Sequence, residues 1–286
     1  MLKKLLGLNP KPTSDGAYSP SNFALRMSTS DKTNYEQVSY SNKNMDQNKR
    51  VLVLCTEEAH LPTANGKQFS SGNHPVETLL PMMHLKDAGF ELDIFTPTGK
   101  AAKIEMWAMP KEDQKVMDFF NEYKTKLDKP SSVAYFVKEQ FISAHEYVAI
   151  LIPGGHGAII GLPKDPNVGK LIHWAHDQNK FILSICHGPA AFLSLEEEVS
   201  GKAFPFSGYS IAAFPDKMDK QLPMIGYLPG QLTWFFGEKL KKHGMTIVNT
   251  KADDTCHVDR RLITAASPKA ANAFGKLCAQ QLLAHI

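Results

Sequence analysis

Short, mostly apolar runs alternate with segments of helical periodicity along most of this chain. The runs are residues 51–55, 90–95, 147–153 and 181–185, with further short ones at 210–214, 245–248 and 262–265. Helical patterns occupy residues 76–88, 166–178 and 268–284. Continuous apolar runs of this length are typical of strands buried on both faces, and strands alternating with helices form βαβ units. The sequence therefore predicts an α/β fold with a doubly wound parallel sheet, whose functional groups gather at the carboxyl ends of the strands.

Two segments fall outside this rhythm. Residues 1–48 are rich in Ser, Asn, Thr and Lys and show no period, which is typical of a disordered tail. Scattered aromatic residues in the same segment indicate instead an arm that packs on the body: Tyr18, Phe23, Tyr35 and Tyr40. Residues 98–143 contain two charged helical stretches near 113–127 and 131–141 and are interpreted as an inserted helical cap. The catalytic core is then expected to comprise residues 49–97 and 144–286.

Composition excludes several classes of protein. The chain has 286 residues and a net charge of +3, too small to indicate a nucleic-acid-binding stripe. Its four cysteines include no CxxC pair, which favours free thiols in a reducing compartment over a disulfide framework. No apolar run approaches the roughly 20 residues that span a bilayer, and the apolar part of residues 1–6 is too short for a signal peptide. We therefore expect a cytoplasmic protein without a membrane partner.

Cys186 ends the apolar run 181–185 and is followed by His187, Gly188 and Pro189. This order is typical of a strand that turns sharply into a helix and presents a nucleophile at the sheet edge. The amino terminus of that helix would lower the pKa of the thiol. A structural cysteine on a core strand is the alternative. The residues that follow Cys186 favour the nucleophile.

Two further motifs are expected at the same edge of the sheet. In the Pro-Gly-Gly-His-Gly-Ala run at 153–158, Gly154 and Gly155 could turn their N–H groups toward a neighbouring site as an oxyanion hole, or form a plain turn. Glu77 begins the helix that follows the first strand. It is either a first-turn acid that complements the helix dipole or a carboxyl beside the thiolate. In a dry pocket that carboxyl would be protonated more readily than in water.

His187 is the candidate acid–base group. Side-chain directions diverge at an elbow, so His187 need not touch the sulfur, but it could reach a substrate bound over it. The imidazole would need a carboxylate to orient it. Asp216 and Asp219 are the candidates, although either could be a solvated loop acid.

Metal and nucleotide motifs are weak in this sequence. The chain has 11 histidines, but none forms a set with recognisable ligand spacing. No glycine-rich phosphate loop is present either. We expect neither a metal nor a cofactor.

Several of these segments resemble the ThiJ/PfpI superfamily, namely residues 72–77, 153–157 and 186–191. Residues 105–110, 213–216 and 230–237 are similar to one branch of it, described as heat-inducible chaperones, glyoxalase III enzymes and protein/nucleic acid deglycases. The resemblance covers roughly residues 48–284. It implies a flavodoxin-like core, a small cap domain and a homodimer.

The resemblance also implies a site and an activity. Cys186 would be the nucleophile, with Glu77 beside the thiol, His187 as base and Asp219 as its partner. The implied reaction is cofactor-independent and needs no glutathione. Its substrates would be methylglyoxal, converted to lactate, or early glycation adducts on proteins and nucleotides, in a stress-response and DNA-repair role.

One departure from the resembling proteins concerns zinc. Similar proteins of enteric bacteria bind zinc through His, Glu and His, and the matching positions here are Lys86, Glu91 and Tyr123. Only the carboxylate of Glu91 is retained. Lys and Tyr both hold their protons at neutral pH, so we expect no firmly bound zinc. Lys86 is expected to pair with Glu91 instead.

Other functions are weighed on the same residues. A holdase chaperone would bind unfolded clients on exposed apolar surface, which a sequence does not reveal. A cysteine peptidase could use Cys186, His187 and Asp219, but a cap would narrow access to small substrates. A glutamine amidotransferase is disfavoured, because no downstream His-x-Glu pair serves the elbow cysteine.

Overall fold

A computed structural model describes residues 7–140, 146–198 and 203–285 of the chain. Its strands are β1 (Lys11–Pro12), β2 (Tyr18–Ser19), β3 (Arg50–Leu54), β4 (His60–Pro62), β5 (Gln68–Ser70), β6 (Glu91–Thr96), β7 (Ser131–Ser132), β8 (Tyr147–Ile152), β9 (Phe181–Ile185), β10 (Ser210–Ile211), β11 (Thr246–Ile247), β12 (Cys256–Asp259) and β13 (Leu262–Ala265). Its α-helices are α1 (Asn22–Ser28), α2 (Pro75–Asp87), α3 (Gln114–Asp128), α4 (Val133–Tyr135), α5 (Pro166–Asp177), α6 (Leu195–Glu198), α7 (Asp216–Asp219), α8 (Phe236–Lys242) and α9 (Ala271–Leu283).

The main sheet has the strand order β12-β13-β9-β8-β3-β6-β7. Every pair in it is parallel except the edge pair β12–β13. The chain leaves β3 toward β6 on one side and later returns to β8 on the other, so the direction of winding changes between β3 and β8. Ligands of open α/β sheets bind outside the carboxyl ends of the strands at such a point. The doubly wound parallel sheet predicted from the sequence is confirmed.

The pleat of the strands divides the core into two layers. Leu52, Ile150 and Ile182 face one apolar cluster, which α5 covers, while Val51 and Leu183 face the other, which α2, α3 and α9 cover. All these side chains are at most 3% exposed. Burying one such side chain contributes roughly 1.5–3 kcal/mol, which explains why both faces of the central strands are apolar.

The segment predicted as an inserted cap contributes to this core. Helix α3 packs its apolar stripe, which includes Val116 and Phe120, into the cluster shared with α2. Strand β7 then extends the main sheet beside β6. Where the sequence predicts one helix near 131–141, the structure has the short helix α4 followed by a π-helix at Phe136–Gln140. Residues 141–143 of the predicted cap lie outside the described residues.

The amino-terminal segment packs on the body. Strands β1 and β2 join β5 and β4 in a second, four-stranded sheet. The hydroxyl of Tyr35 donates to Asp87 at 2.6 Å, and Glu36 pairs with Lys276 at 2.7 Å. Of the two alternatives for this segment, the packed arm is the one observed for its residues from 7 onward.

Two further details differ from the sequence-based expectation. The runs at 210–214 and 245–248 form only the two-residue strands β10 and β11, which pair with each other outside the main sheet. Strand β12 was not predicted, because its alternation of Cys, His, Val and Asp lacks an apolar run.

Among the described residues, no helix is long and apolar enough to cross a membrane.

Candidate active site

Cys186 lies on a strained elbow at the carboxyl end of β9. Its φ of 62° is in the left-handed region, which non-glycine residues seldom adopt. Two hydrogen bonds hold this conformation: the Cys186 N–H donates to Ala265 at 2.8 Å, and its carbonyl accepts from Phe214 at 2.9 Å. A Cβ on Gly188 would lie 2.5 Å from the Ile152 carbonyl oxygen, so only glycine permits the chain to leave the elbow this closely. The helix that follows is a 3-10 helix, Gly188–Ser194.

The Cys186 thiol contacts an imidazole that is oriented by a carboxylate. Sγ lies 3.3 Å from His187 Nδ1, and His187 Nε2 lies 3.0 Å from Asp219 Oδ2. The side chains of neighbouring residues therefore meet at this elbow, contrary to the divergence expected from the sequence. With its Nε2 proton donated to Asp219, an uncharged His187 presents Nδ1 to the sulfur as a proton acceptor.

The two candidate acids of α7 have different surroundings. Asp219 is 1% exposed and accepts from both His187 and His156. Burial alone would raise its pKa, but the two histidines lower it to about 2, so the carboxylate is ionised. Asp216 instead accepts from the N–H groups of Gly237 and Glu238, in the first turn of α8. The geometry thus brings Asp219, and not Asp216, to His187.

Glu77 lies in the first turn of α2 and is fully buried beside the thiol. Burial raises the pKa of its carboxyl to about 8, although the Cys186 thiol and the Gly155 N–H both favour the ionised form. At neutral pH the carboxyl therefore holds its proton, as the sequence predicts for a carboxyl in a dry pocket. Neither of its oxygens has a hydrogen bond of standard geometry within the described residues.

The glycine pair after β8 lies against both Glu77 and Cys186. A Cβ on Gly154 would lie 2.3 Å from Glu77 Oε2 and 2.7 Å from the Cys186 Cβ, so a side chain there would displace the site. Gly155 has a φ of 98°, and its N–H favours the negative charge of either Cys186 or Glu77. As a backbone donor beside the thiol, this N–H is the candidate for the oxyanion hole predicted from the sequence.

The pKa of the Cys186 thiol differs from the sequence-based expectation. Burial, together with the adjacent Glu77 carboxyl and the charge of Asp219, raises it well above its ordinary value. The predicted lowering by a helix terminus is wrong for this buried setting. A neutral thiol needs a proton acceptor to become a nucleophile, and His187 Nδ1 is the neighbouring group within reach.

Three buried groups near the thiol were not assigned from the sequence. His156 shares Asp219 with His187, and their ring centroids are 4.2 Å apart. Glu105 and His74 are 1% and 6% exposed. Burial raises the pKa of Glu105 to about 8 and lowers the pKa of His74 to about 3. Both belong to segments that carry the family resemblance, which was the available signal, but sequence spacing alone does not reveal that they converge.

A cavity of about 300 Å³ connects these groups to the surface. Its lining includes the thiol of Cys186 and the side chains of Glu77, Glu105, His74, His156 and His187, together with apolar and aromatic residues. Among the latter are Met27 of helix α1, Phe214, Met218, Leu222, Ile225 and Tyr227. The amino-terminal arm therefore contributes part of the wall. This volume lies at the low end of the usual range for small-molecule sites, roughly 300–1,000 Å³.

The residues at the zinc positions do not fit a zinc ion. Lys86 pairs with Glu122, and not with Glu91 as expected, because helix α3 brings the Glu122 carboxylate to it. Its ammonium lies 5.5 Å from the ring centroid of Tyr123. Burial, with the nearby acids Glu122 and Glu91, raises the pKa of the Tyr123 phenol above its ordinary value. Tyr123 thus holds its proton at neutral pH, and the Lys86 ammonium is already paired with Glu122, so neither position offers zinc a free ligand.

Another set of described side chains is close enough to hold a metal ion. Ligand atoms of His156, His187 and Asp219 all lie within 4.8 Å of one another. In this set each Nε2 already donates to the shared carboxylate. An ion there would have to displace those hydrogen bonds and would remove the orientation of His187 toward the thiol.

The chain is similar to known proteins in both sequence and fold. The profile of the DJ-1/PfpI family matches residues 69–204. The chain is 48% identical over 270 residues to the protein/nucleic acid deglycase HchA of Escherichia coli O157:H7, covering 94% of this chain and 93% of that protein. Among solved structures, glyoxalase III from Candida albicans has a TM-score of 0.64 at 21% identity, covering 83% of this chain and 97% of that one.

A second solved structure, Rapid Encystment Protein 24 KDa of Francisella tularensis, has a TM-score of 0.65 at 23% identity and covers 82% of this chain and 99% of that one. These structural likenesses confirm the fold. The sequence likeness to HchA extends over nearly the whole chain and includes the elbow cysteine region. The resemblance inferred from the motifs is confirmed, and the chain belongs to the DJ-1/PfpI family.

Proposed function

We propose that this protein is a cofactor-independent cysteine enzyme that acts on small vicinal dicarbonyls, converting methylglyoxal to lactate, and on early glycation adducts of proteins and nucleotides. The observation that carries the proposal is the buried array of Cys186, His187 and Asp219 at the end of a small cavity. The names of a relative and a structural neighbour, a protein/nucleic acid deglycase and a glyoxalase III, support it.

The array suits attack on an aldehyde carbon. His187 Nδ1 accepts the thiol proton while Sγ bonds to the carbon, giving a hemithioacetal. The Gly155 N–H stabilises the oxyanion that develops on the first oxygen, and the protonated Glu77 can donate to the same atom. Transfer of the thiol proton to His187 during attack is consistent with the raised pKa of the free thiol.

The remaining steps are redox-neutral. His187 moves a proton from the first carbon to the second through an ene-diol, which converts the hemithioacetal to a lactoyl thioester. Water then cleaves the carbon–sulfur bond, releasing lactate and restoring the thiol. With a glycation adduct, attack at the same carbon expels the amine or thiol that the sugar-type group had modified.

The cavity supports small substrates over peptides. Its volume of about 300 Å³ admits a three-carbon dicarbonyl or the modified end of a side chain. A peptidase would need an extended groove beside the thiol, so the peptidase alternative is the weaker one. The homodimer and the cytoplasmic location remain predictions from the sequence and the family.

Proton NMR of the purified protein mixed with methylglyoxal in glutathione-free buffer tests the proposal. We expect lactate to accumulate over many turnovers, and N-acetylcysteine to be released from its methylglyoxal hemithioacetal. Absence of both products would refute the proposed activity. Protection of a client from heat aggregation by an inactive Cys186→Ala protein would show that chaperoning, the alternative function, uses a separate surface.

A further inference from the structure

We propose that Glu105 binds the substrate directly, donating a hydrogen bond from Oε2 to the second oxygen of a vicinal dicarbonyl or hydroxycarbonyl group. This inference rests on the proposed function and adds a determinant of substrate class. It predicts that the site prefers compounds with oxygens on adjacent carbons over simple aldehydes. Glu105 would then be a catalytic residue in its own right.

The backbone fixes Glu105 at the cavity wall. The Glu105 N–H donates to the Asn73 carbonyl at 3.0 Å, and the Asn73 N–H donates to the Lys103 carbonyl. The segment around Ile104 thus runs parallel to the loop that precedes α2. Glu105 then leads into the 3-10 helix Met106–Ala108. A side chain on so constrained a backbone has little freedom to turn away from the cavity.

The two oxygens of Glu105 have different partners. Oε1 accepts from the Ser71 hydroxyl at 3.2 Å and from the His156 N–H at 3.3 Å. Oε2 is buried and has no hydrogen-bond partner among the described residues. Glu105 nevertheless lines the cavity that contains Cys186 and Glu77. A buried polar atom without a partner is costly in a folded protein, so a ligand that satisfies it gains affinity.

The partners of Oε1 decide where the proton is. A backbone N–H can only donate, so Oε1 must act as an acceptor. Burial and the nearby Glu77 both favour the neutral carboxyl, although His156 opposes them. The proton of a neutral Glu105 then sits on Oε2, which becomes an unpartnered donor on a residue that lines the cavity.

The chemistry of a vicinal dicarbonyl gives this donor a use. After Sγ has bonded to the first carbon, loss of the proton from that carbon moves negative charge onto the second oxygen. A hydrogen bond from Oε2 to that oxygen strengthens as the charge develops, and it forms no covalent bond with Glu105. Glu77 and Glu105, both kept protonated by burial, would thus serve the first and the second oxygen respectively.

Two substitutions of Glu105 separate hydrogen bonding from packing. In Glu105→Gln the amide oxygen must take the place of Oε1, since Ser71 and His156 still donate there, so the NH₂ group replaces the Oε2 donor. Glu105→Met keeps the length of the side chain but has no donor. Glu112→Gln, an exposed acid in the same part of the chain, is the matched control.

The measurement compares two aldehydes as protectants of Cys186. Full-length protein is mixed with iodoacetamide and either methylglyoxal or propanal, which lacks the second oxygen. Alkylation of Cys186 is then followed by peptide mass spectrometry within seconds of mixing. Cys256, which is half-buried and away from the cavity lining, serves as the internal reference.

For Glu105→Met we expect the concentration of methylglyoxal that protects Cys186 from alkylation to rise at least about 10-fold. The concentration of propanal that gives the same protection should change less than about twofold. Glu105→Gln and Glu112→Gln should stay within about threefold of wild type for both aldehydes. Equal changes for the two aldehydes in Glu105→Met, or an unchanged methylglyoxal value, would overturn the inference. If the wild type shows neither protection nor lactate formation, the proposed function itself fails.

Should Glu105→Met not fold, Glu105→Gln alone still tests the inference. Its amide keeps a donor but cannot exchange a proton, so lactate formation should persist with kcat/KM within about 10-fold of wild type. A loss beyond 10³-fold in folded Glu105→Gln protein would show that Glu105 transfers a proton and does not merely donate a hydrogen bond.

Discussion

At the scale of single residues, the site depends on acids that burial keeps neutral. Glu77 and Glu105 each have a pKa raised to about 8, while Asp219, equally buried, stays ionised because two histidines face it. Two carboxyl groups that line the cavity are thus neutral, while the one behind its histidines is ionised. Environments that separate the pKa values of neighbouring acids are a hallmark of acid–base catalysis.

The role of Glu77 can be tested with a side chain of the same shape that cannot transfer a proton. In Glu77→Gln we expect kcat for lactate formation to fall on the order of 10²–10⁴-fold, because an amide cannot transfer a proton. Steady-state kinetics should show a much smaller change in KM. Glu77→Asp, which keeps the acid but shortens its reach, should retain more activity than Glu77→Gln. An unchanged kcat in Glu77→Gln would reduce Glu77 to a first-turn acid of helix α2.

At the scale of elements, the carboxyl ends of β8 and β9 and the start of helix α2 bring the reacting groups together. The strand Phe181–Ile185 and the helix Pro75–Asp87 could be predicted, because their apolar patterns reflect burial directly. The partner of His187 could not be chosen from the sequence. Asp216 and Asp219 are three residues apart on one short turn of helix, and only tertiary packing decides which one faces His187.

Helix α7 therefore carries two acids with different roles. Substitution of one should lower kcat, and substitution of the other should lower stability. Asp219→Asn should lower kcat by at least about 10²-fold, because His187 loses the carboxylate that orients its imidazole toward the thiol. Asp216→Ala should leave kcat within about twofold but cost about 0.5–2 kcal/mol of stability, because the first turn of α8 loses its acceptor. Kinetics and urea unfolding of both variants test this. Reversed signatures would mean that the two acids are assigned the wrong way round.

At the scale of the whole molecule, the doubly wound core was predictable and the wall of the cavity was not. The sheet that joins β1, β2, β4 and β5 consists of strands of two or three residues, too short to leave a period in the sequence. Met27 of the arm reaches the cavity only because that sheet and helix α1 fold over the body. The convergence of His74, Glu105 and His156 likewise depends on contacts between distant loops.

Buried neutral acids should also make stability depend on pH. Since the pKa of Glu77 is about 8 when folded, against 4.5 ordinarily, the folded protein binds more protons than the unfolded chain between these values. The contribution of Glu77 to the free energy of unfolding is complete below pH 4.5 and is lost as the pH rises through 8. Across this range the free energy of unfolding falls by up to about 1.4 kcal/mol per pH unit. Glu105 acts in the same direction. The lowered pKa of His74 makes the free energy of unfolding rise with pH instead, but only between a pH of about 3 and its ordinary pKa of 6.5.

We therefore expect the free energy of unfolding of wild type to fall between pH 6.5 and pH 8.5, and to fall less in Glu77→Gln. Urea titrations at both pH values measure it. The exposed control Glu112→Gln should follow wild type. Identical slopes for wild type and Glu77→Gln would show that the Glu77 carboxyl is not held neutral in the folded protein.

The proposed function requires the Cys186 thiol to attack the substrate, and a comparison of two cysteine substitutions tests this requirement. Cys186→Ser and Cys256→Ser each remove one free thiol, the first at the elbow and the second on the edge strand β12. Lactate formation from methylglyoxal without glutathione is measured for both. We predict a loss of at least about 10³-fold in Cys186→Ser with unchanged thermal unfolding, and wild-type rates in Cys256→Ser. Retention of more than a few per cent of activity by folded Cys186→Ser would contradict it.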